Sequence, residues 1–397
     1  MADAGSGTPS KLVTPQFLIF VIAEFCYFGA FGMTVPVLPQ LIRDDLGGSS
    51  FAVGIVVGIM ALSSLLIRPW ITPRVVTWPA NRIVFVAASI GGLSFALYAL
   101  PDQVWMLGAA RLVTGAAQAC LLVTVIAFIT GQASDENRGR AASYVSIGPY
   151  LGLGIGPVIG QPISDNFGFH AVFVVAAIIT VLGALPVLFI HSEVGERSTT
   201  RAPRFHRAAV LPGVVLALGA VGAVTMSAFM PLFADETLDI SPAYVFLTYS
   251  AIILTTRIVG GGLPDRFGVR VLGPIATILI IVGLLGIAAA PHPVVLYAAI
   301  VPFAVGMALQ YPVLMLLAMR DITPVQRPAA IATYTMFLDV ANGLGGLVAG
   351  TFAALGGYRA AFAGGAGASV IGLVLLIVLV VRPRPASRRA TATADAG

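Results

Sequence analysis

Three ionisable side chains lie inside otherwise apolar stretches of the sequence, where a charge is costly and therefore informative. They are Glu24, Arg111 and Asp339. A charged group at the centre of a bilayer costs about 2.5 kcal/mol or more unless it faces water or a protein-lined interior. Burial favours the protonated form of a carboxyl group, and a neighbouring guanidinium favours the ionised form. A carboxyl group balanced between these effects can take up a proton on one side of a membrane and release it on the other, so we expect Glu24 to carry a driving proton.

The composition indicates that lipid surrounds most of the chain. Hydrophobic residues make up 58% of the 397 residues and charged residues 10%, and the mean hydropathy is +0.96. A soluble domain carries about 25% charged residues, so this chain has too few to cover a water-facing surface. A span needs roughly 20 apolar residues. The sequence therefore predicts an all-α polytopic membrane protein with twelve transmembrane helices at 17–38, 51–71, 82–100, 104–130, 140–163, 169–190, 209–233, 242–262, 271–290, 294–319, 328–353 and 358–381.

Basic residues predict the orientation of these helices. All Lys and Arg residues except Arg43, Arg111 and Arg359 fall on one side of the membrane if the N-terminus is cytoplasmic. Positive charge is retained on the cytoplasmic side, so both termini are predicted to be cytoplasmic. The net charge of +5 then belongs to a basic rim facing anionic lipid, and nucleic-acid binding is not expected. A single lysine beside abundant Ala, Gly and Val favours a bacterial plasma membrane as the location.

A polar stretch divides the chain into two halves of six predicted helices each. The predicted units are a cytoplasmic tail, a first bundle, a linker, a second bundle and a second tail, at 1–16, 17–190, 191–208, 209–381 and 382–397.

The two halves repeat one another. The hexapeptide that begins at Gly168 has a counterpart 189 residues later at Gly357, and Arg68 matches Arg257 at the same offset. Two looser matches, at offsets of 190 and 191, pair Gly156 with Gly346 and Gly115 with Gly306. Parallel repeats related by an axis along the membrane normal place a binding site between them near the midplane. This is the architecture of an alternating-access carrier.

The predicted helix 140–163 carries the most specific motif. Glycines four residues apart give a helix a flat face that another helix can approach closely, and a proline bends it. The segment Gly148–Gly160 resembles the antiporter motif of the major facilitator superfamily, although Gln161 replaces the motif's last glycine. In that superfamily the motif marks proton-coupled exporters. The resemblance implies a gating role, with helix packing alone as the alternative, for Gly152, Gly156, Pro157 and Gly160.

The segment between the eighth and ninth predicted helices, from Gly261 to Arg270, resembles the G-x-L-x-D-R-x-G-x-R loop of the same superfamily. By this resemblance, Asp265 lies at a helix N-terminus, where exposed amides favour a carboxylate. Asp265, Arg266 and Arg270 would then form a contact that breaks when the inner gate opens. The corresponding first-half loop keeps its leading arginine but lacks the aspartate and the glycines. Arginines that merely set the orientation are the alternative.

The same resemblance predicts a central cavity. The segment Gly29–Pro39 is similar to a signature of twelve-span drug:proton antiporters, and Arg111–Gly115 is similar to the R-x3-G proton-coupling motif. In that fold the first, fourth, seventh and tenth helices line the cavity, which implies that Glu24 and Arg111 stand on facing walls. Asp339 is a third candidate for proton coupling. The predicted substrate-binding residues are Tyr27, Phe28, Phe31, Gln118, Met226, Phe229, Met307, Gln310, Tyr311 and Asn342.

Simpler interpretations remain open for these residues. Glu24 and Arg111 could form a permanent ion pair, and Asp339 could make a packing hydrogen bond with Asn342. Each lining residue, taken singly, is explained at least as well by ordinary helix packing.

The combined prediction is a secondary active transporter that exports amphiphilic drugs or small metabolites in exchange for protons. Its expected partners are a small-molecule substrate, protons and the lipid bilayer, and we expect a monomer without a cofactor. A carrier for one endogenous metabolite (a siderophore, sugar or antibiotic) is the alternative. A membrane enzyme or receptor is less well supported, because the sequence shows no HExxH, nucleophile elbow or Walker A loop.

Overall fold

The computed structural model describes residues 14–75, 77–100, 102–132, 147–190, 206–320, 322 and 326–381. The predicted linker lies almost entirely outside these residues, and so do both predicted tails apart from residues 14–16. The side chains of residues 130, 131, 265, 327–329 and 381 are also outside the description.

Ten helices in the described part of the chain are long and apolar enough to cross a membrane. The predicted all-helical membrane architecture is confirmed for these residues. We name the helices α1 Pro15–Gln40, α2 Ser50–Val75, α3 Ala80–Leu97, α4 Val104–Gln132, α5 Ile147–Ala184, α6 Val210–Leu238, α7 Pro242–Gly260, α8 Leu263–Ala289, α9 Pro293–Ala318 and α10 Arg327–Val381. A π-helical turn, Leu41–Asp45, prolongs α1, and a 3₁₀ turn, Leu185–Phe189, follows α5.

Two of these helices are bent at repeat-equivalent glycines. At 1.5 Å per residue, α5 and α10 would be about 57 and 82 Å long if they were straight, well beyond the roughly 30 Å of a hydrocarbon core. Gly168 in α5 has φ 80° and ψ 170°, and Gly357 in α10 has φ 74° and ψ −174°. Glycine adopts this backbone at little steric cost because it lacks Cβ. Each of the two helices therefore contains two of the predicted segments.

The largest boundary difference is at the start of α8. The sequence predicts a helix from residue 271, whereas α8 begins at Leu263 and is interrupted at Gly268, which has φ 69°. Most of the loop predicted between the eighth and ninth helices is therefore helical.

Glycines let the helices of the first half approach closely. A Cβ built on Gly152 would lie 2.5 Å from the backbone nitrogen of Gly29, and one on Gly156 would lie 2.4 Å from the carbonyl oxygen of Gly29. A Cβ on Gly160 would meet the carbonyl oxygen of Met33 at 2.6 Å. The close helix approach that these glycines predict is thus present between α5 and α1, and their role in gating stays a prediction.

Contacts between helices follow the 189-residue repeat. Gly154 of α5 packs on Ser250 of α7. The positions equivalent to these two, Gly343 of α10 and Ala61 of α2, also pack on each other. The repeat detected in the sequence is therefore present in the packing at this offset.

The two looser sequence matches are wrong as structural equivalents. Gly156 packs on Gly32 of α1, whereas Gly346 packs on Gly54 of α2. The residue equivalent to Gly156 is Gly345, which packs on α6. Gly115 and Gly306 likewise face different partners, α2 and α8. Apolar helices rich in glycine produce such near matches by composition.

Candidate functional site

Glu24 is fully buried in α1. Its relative exposure is 0%, and neither carboxyl oxygen has a hydrogen-bond partner among the described residues. On the same face of α1, the ring of Phe20 lies 4.4 Å from that of Phe128 in α4. Further along, the hydroxyl of Tyr27 donates to the carbonyl oxygen of Thr114 in α4 at 3.2 Å. Glu24 therefore lies on the face of α1 that meets α4.

Arg111 is also buried, with 3% exposure, but its donors are directed to α2. Its Nε donates to the carbonyl oxygen of Val56 at 3.3 Å and its Nη2 to that of Val57 at 3.4 Å. Its guanidinium carbon lies 5.4 Å from the ring centroid of Phe31. Phe31 is seven residues from Glu24, about 10 Å along a helix.

No ion pair forms between Glu24 and Arg111 in the described part of the chain. The permanent-bridge interpretation is therefore wrong for this conformation. Arg111 instead anchors α4 to α2, and Glu24 is left without a counter-charge among the described residues.

Asp339 connects the two halves of the molecule, which we define as α1–α5 and α6–α10. It is 7% exposed, and its Oδ2 lies 2.6 Å from Nε of Arg68 in α2. The hydroxyl of Ser64 donates to Oδ1 at 3.2 Å. The alternative in which Asp339 bonds to Asn342 is wrong: Asn342 is exposed, and α2 supplies the hydrogen-bond partners of Asp339.

A second arginine joins the halves at the equivalent place. Arg257 of α7 donates from Nη2 to the hydroxyl of Tyr150 in α5 at 2.8 Å, and its guanidinium carbon lies 4.3 Å from that ring's centroid. The 189-residue offset that relates Arg68 to Arg257 also relates Tyr150 to Asp339. Among the described residues, no carboxylate lies within ion-pair distance of Arg257.

The two interfaces also differ in backbone contact. We call them the α2–α10 interface, around Arg68 and Asp339, and the α5–α7 interface, around Arg257 and Tyr150. In the α2–α10 interface a Cβ on Gly54 would lie 2.2 Å from the carbonyl oxygen of Gly346. In the α5–α7 interface the residue equivalent to Gly54 is Ala243.

The predicted substrate residues fall in more than one apolar cluster. Tyr27, Phe28 and Phe229 belong to a cluster that includes residues of both halves, and Phe31 packs against it. The ring of Tyr27 also packs on Gly91 and Phe95 of α3, and its role in substrate binding stays a prediction. Of the other predicted residues, Met226, Phe229 and Gln310 are buried. Phe31, Gln118, Met307 and Tyr311 are partly buried, and Asn342 is exposed.

Gln310 is the most unusual of these residues. It is 1% exposed, and neither atom of its amide has a partner among the described residues. The amide fills the notch left by Gly219 of α6, where a Cβ would lie 2.1 Å from Nε2. Buried amides are normally hydrogen-bonded, so this unpartnered amide is an exception among the described residues.

The predicted gating loop is only partly visible. The side chain of Asp265 lies outside the described residues, so its predicted contact stays a prediction. Arg266 and Arg270 are exposed, and the guanidinium carbon of Arg266 lies 5.4 Å from the ring centroid of Phe267.

Ser64, Arg68, Tyr150 and Arg257 were not predicted as site residues. The signal that could have found them is the repeat itself, because subtracting 189 from Asp339 gives Tyr150 and adding 189 to Arg68 gives Arg257. The two halves meet at positions where one repeat has a carboxylate, Asp339, and the other repeat has a phenol, Tyr150.

Solved structures with the same fold include transporters. The nucleoside transporter NupG superposes with a TM-score of 0.76 at 13% identity, covering 93% of this chain and 100% of that one. A bacterial homologue of the human lysosomal transporter Spinster, in an inward-facing and unoccupied conformation, superposes with a TM-score of 0.71 at 16% identity, covering 93% and 96%. At these identities the likeness concerns the fold alone.

Sequence relatives cover nearly the whole chain. An uncharacterized MFS-type transporter of Burkholderia mallei is 27% identical over 400 residues, 94% of this chain and 95% of that protein. Another from Pseudomonas aeruginosa is 28% identical over 392 residues, with the same coverage. A family model described as the Major Facilitator Superfamily matches residues 20–324. With that match, the relatives and the all-helical fold together, the chain belongs to the Major Facilitator Superfamily of membrane transporters.

Proposed function

We propose that this transporter is a proton-coupled exporter of small amphiphilic drugs or metabolites. The observation that carries the proposal is Glu24, whose carboxyl group is fully buried and has no hydrogen-bond partner among the described residues. Intramembrane carboxyl groups are costly and are found where ions or protons are handled.

The proposal includes twelve spans with both termini in the cytoplasm. Counting α5 and α10 as two crossings each, because Gly168 and Gly357 divide them, converts ten helices into twelve spans. The distribution of basic residues supports the orientation.

Glu24 can couple proton movement to conformation through its surroundings. The neutral carboxyl group is compatible with the dry face where α1 meets α4. The ionised group needs water or a cation, because an isolated charge is not tolerated in an apolar medium. Proton release therefore favours a conformation in which this face is wet, and proton uptake favours one in which it is closed. A ligand that differs in affinity between two states shifts their populations, and the proton acts here as such a ligand.

The two arginine interfaces are the contacts that alternation must rearrange. Arg68 with Asp339, and Arg257 with Tyr150, each tie one half to the other. Rocking of one half against the other around a central site has to lengthen or exchange these contacts.

Inverted membrane vesicles test the proposal. Vesicles containing the protein are energised to an acidic interior, amphiphilic dyes and drugs are added, and uptake is followed with and without a protonophore. We expect gradient-driven uptake with the native chain and loss of at least about 90% of it with Glu24→Gln, since the variant cannot ionise. Exposed Asp102, substituted as Asp102→Asn, is the matched control and should keep the native rate.

Downhill exchange separates coupling from folding. Vesicles preloaded with the same compound should exchange it at a near-native rate with Glu24→Gln, because exchange needs no net proton transfer. Native gradient-driven uptake in Glu24→Gln would refute the coupling role. Loss of exchange together with normal protein level would show that Glu24 binds substrate instead.

A further inference from the structure

Of two repeat-equivalent arginines, one has a carboxylate partner and the other has none among the residues that the structure describes. Arg68 has Asp339, at 2.6 Å. The residue equivalent to that aspartate is Tyr150, so Arg257 receives a phenol oxygen and an aromatic face in its place. A phenol accepts a hydrogen bond but does not neutralise a guanidinium ion.

Arg257 retains donor capacity at a partly buried position. Its side chain is partly buried, and its Nε is buried with no acceptor among the described residues. A guanidinium presents donors in a planar fork that matches a carboxylate in a two-bond arrangement. A guanidinium held partly out of water without a counter-charge is costly, and an anionic ligand would reduce that cost.

The neighbourhood of Arg257 suits a ligand that is apolar beyond its charged end. Tyr150, Tyr249 and Met307 pack around an apolar cluster formed by α7 and α9. The aromatic ring that stacks on the guanidinium thus packs on an apolar cluster that further aromatic and thioether side chains also contact.

We propose that Arg257, with Tyr150 beside it, binds the anionic group of the transported solute, so that the substrates are amphiphilic carboxylates or similar monoanions. This inference rests on the proposed function, because it takes the bound solute to be one that the protein transports. In this assignment Glu24 carries the proton, and Arg257 binds the solute.

Paired ligands test the inference on the purified full-length protein in lipid nanodiscs. A panel of aromatic and aliphatic carboxylates is compared with the primary amide of each, and affinity is measured from the shift in thermal unfolding with ligand concentration. In the native protein we expect carboxylates to bind about tenfold or more tightly than their amides, as for a hydrogen bond to a charged partner. Arg257→Gln should remove that preference, and Arg257→Lys should keep part of it.

Tyr150→Asp is the sharper variant because it leaves the arginine in place. It copies the ion pair of the α2–α10 interface into the α5–α7 interface, so the protein's own carboxylate occupies the guanidinium. We expect the carboxylate preference to disappear while the fold is retained. Exposed Arg82, substituted as Arg82→Gln, is the matched control and should leave the preference unchanged.

Two outcomes overturn the inference: equal affinity for acids and amides in the native protein, or a preference that survives both Arg257→Gln and Tyr150→Asp. Binding in nanodiscs needs no proton gradient. A carboxylate preference without gradient-driven export would therefore refute the proposed function alone, whereas proton-driven export without the preference would refute this inference alone.

Discussion

The α2–α10 and α5–α7 interfaces occupy equivalent places in the two halves, because each joins a helix of one half to a helix of the other around a repeat-related arginine. In the first, glycine backbones touch and Arg68 is paired with Asp339. In the second, Gly154 meets the side chain of Ser250, and Arg257 meets only a phenol among the described residues. In a duplicated fold, one copy of an arginine contact can thus be neutralised within the protein, while the other copy leaves a guanidinium that a ligand can bind.

The physical difference follows from two substitutions. Where the α2–α10 interface has Asp339, the α5–α7 interface has Tyr150, so the positive charge of Arg257 is not neutralised by a carboxylate at that position. Gly54 and Gly58 of α2 also correspond to Ala243 and Leu247 of α7, so α7 lacks the glycines through which α2 meets α10. We therefore expect the α2–α10 interface to depend more strongly on its own contacts, and the α5–α7 interface to respond more strongly to solute.

The largest effect should come from breaking the glycine contact. In the double variant Gly54→Ala, Gly346→Ala, each new Cβ would overlap a facing backbone carbonyl, at 2.2 and 2.3 Å. Backbone cannot rotate away as a side chain can, so we expect destabilisation at or above the usual 1–3 kcal/mol of overpacking. The fraction of protein that elutes as a single species after extraction, and its thermal unfolding, measure it.

Two single variants calibrate that result. Gly108→Ala places a Cβ in open space and should leave the unfolding temperature unchanged. Gly154→Ala, in the α5–α7 interface, meets the side chain of Ser250 and should have an intermediate effect. If Gly154→Ala is as damaging as the double variant, the two interfaces are equally tight and the comparison is wrong.

A smaller effect is expected from Asp339→Asn, which keeps the shape of the side chain but leaves Arg68 without its counter-charge. Removing one member of a buried pair is strongly destabilising. Because the Arg68 side chain is 25% exposed, water will compensate in part, and we expect a loss of about 1–3 kcal/mol. Equilibrium unfolding in mixed SDS micelles measures it.

The double variant Arg68→Gln, Asp339→Asn is the control for that measurement. It removes both charges and should recover part of the stability lost by Asp339→Asn alone. A double variant less stable than either single one would show that the two side chains act through other neighbours.

Most of the fold was predictable because hydrophobic length is a local signal. Each predicted segment overlaps a described helix, although residues 140–146 lie outside the description, and the glycine spacing in α5 predicted the close approach of another helix, which is α1. Long apolar runs have no alternative to helices in lipid, where every backbone group must be satisfied internally.

The candidate site was less predictable because it depends on partners far apart in the sequence. Asp339 was expected to be important from its cost in lipid, but its partner Arg68 was interpreted only as an orientation signal and as the repeat match of Arg257. Nothing in the local sequence marks Tyr150 and Arg257 as partners of each other. Spacing also does not show which face of α1 is turned to α3, so the packing of Tyr27 on that helix was not predicted.

The smallest effect, and the one that bears most directly on the comparison, is expected from Tyr150→Phe. It removes the 2.8 Å hydrogen bond to Arg257 but keeps the ring on which the guanidinium stacks. No charge is newly orphaned, so the loss should be about 0.5–1.5 kcal/mol, that of one hydrogen bond, and below the loss for Asp339→Asn in the same micelle titration. The released donor should also be free to meet a solute, so carboxylate affinity should hold or rise. If Tyr150→Phe destabilises the protein as much as Asp339→Asn does, the phenol is a structural equivalent of the aspartate and the α5–α7 interface is not the open one.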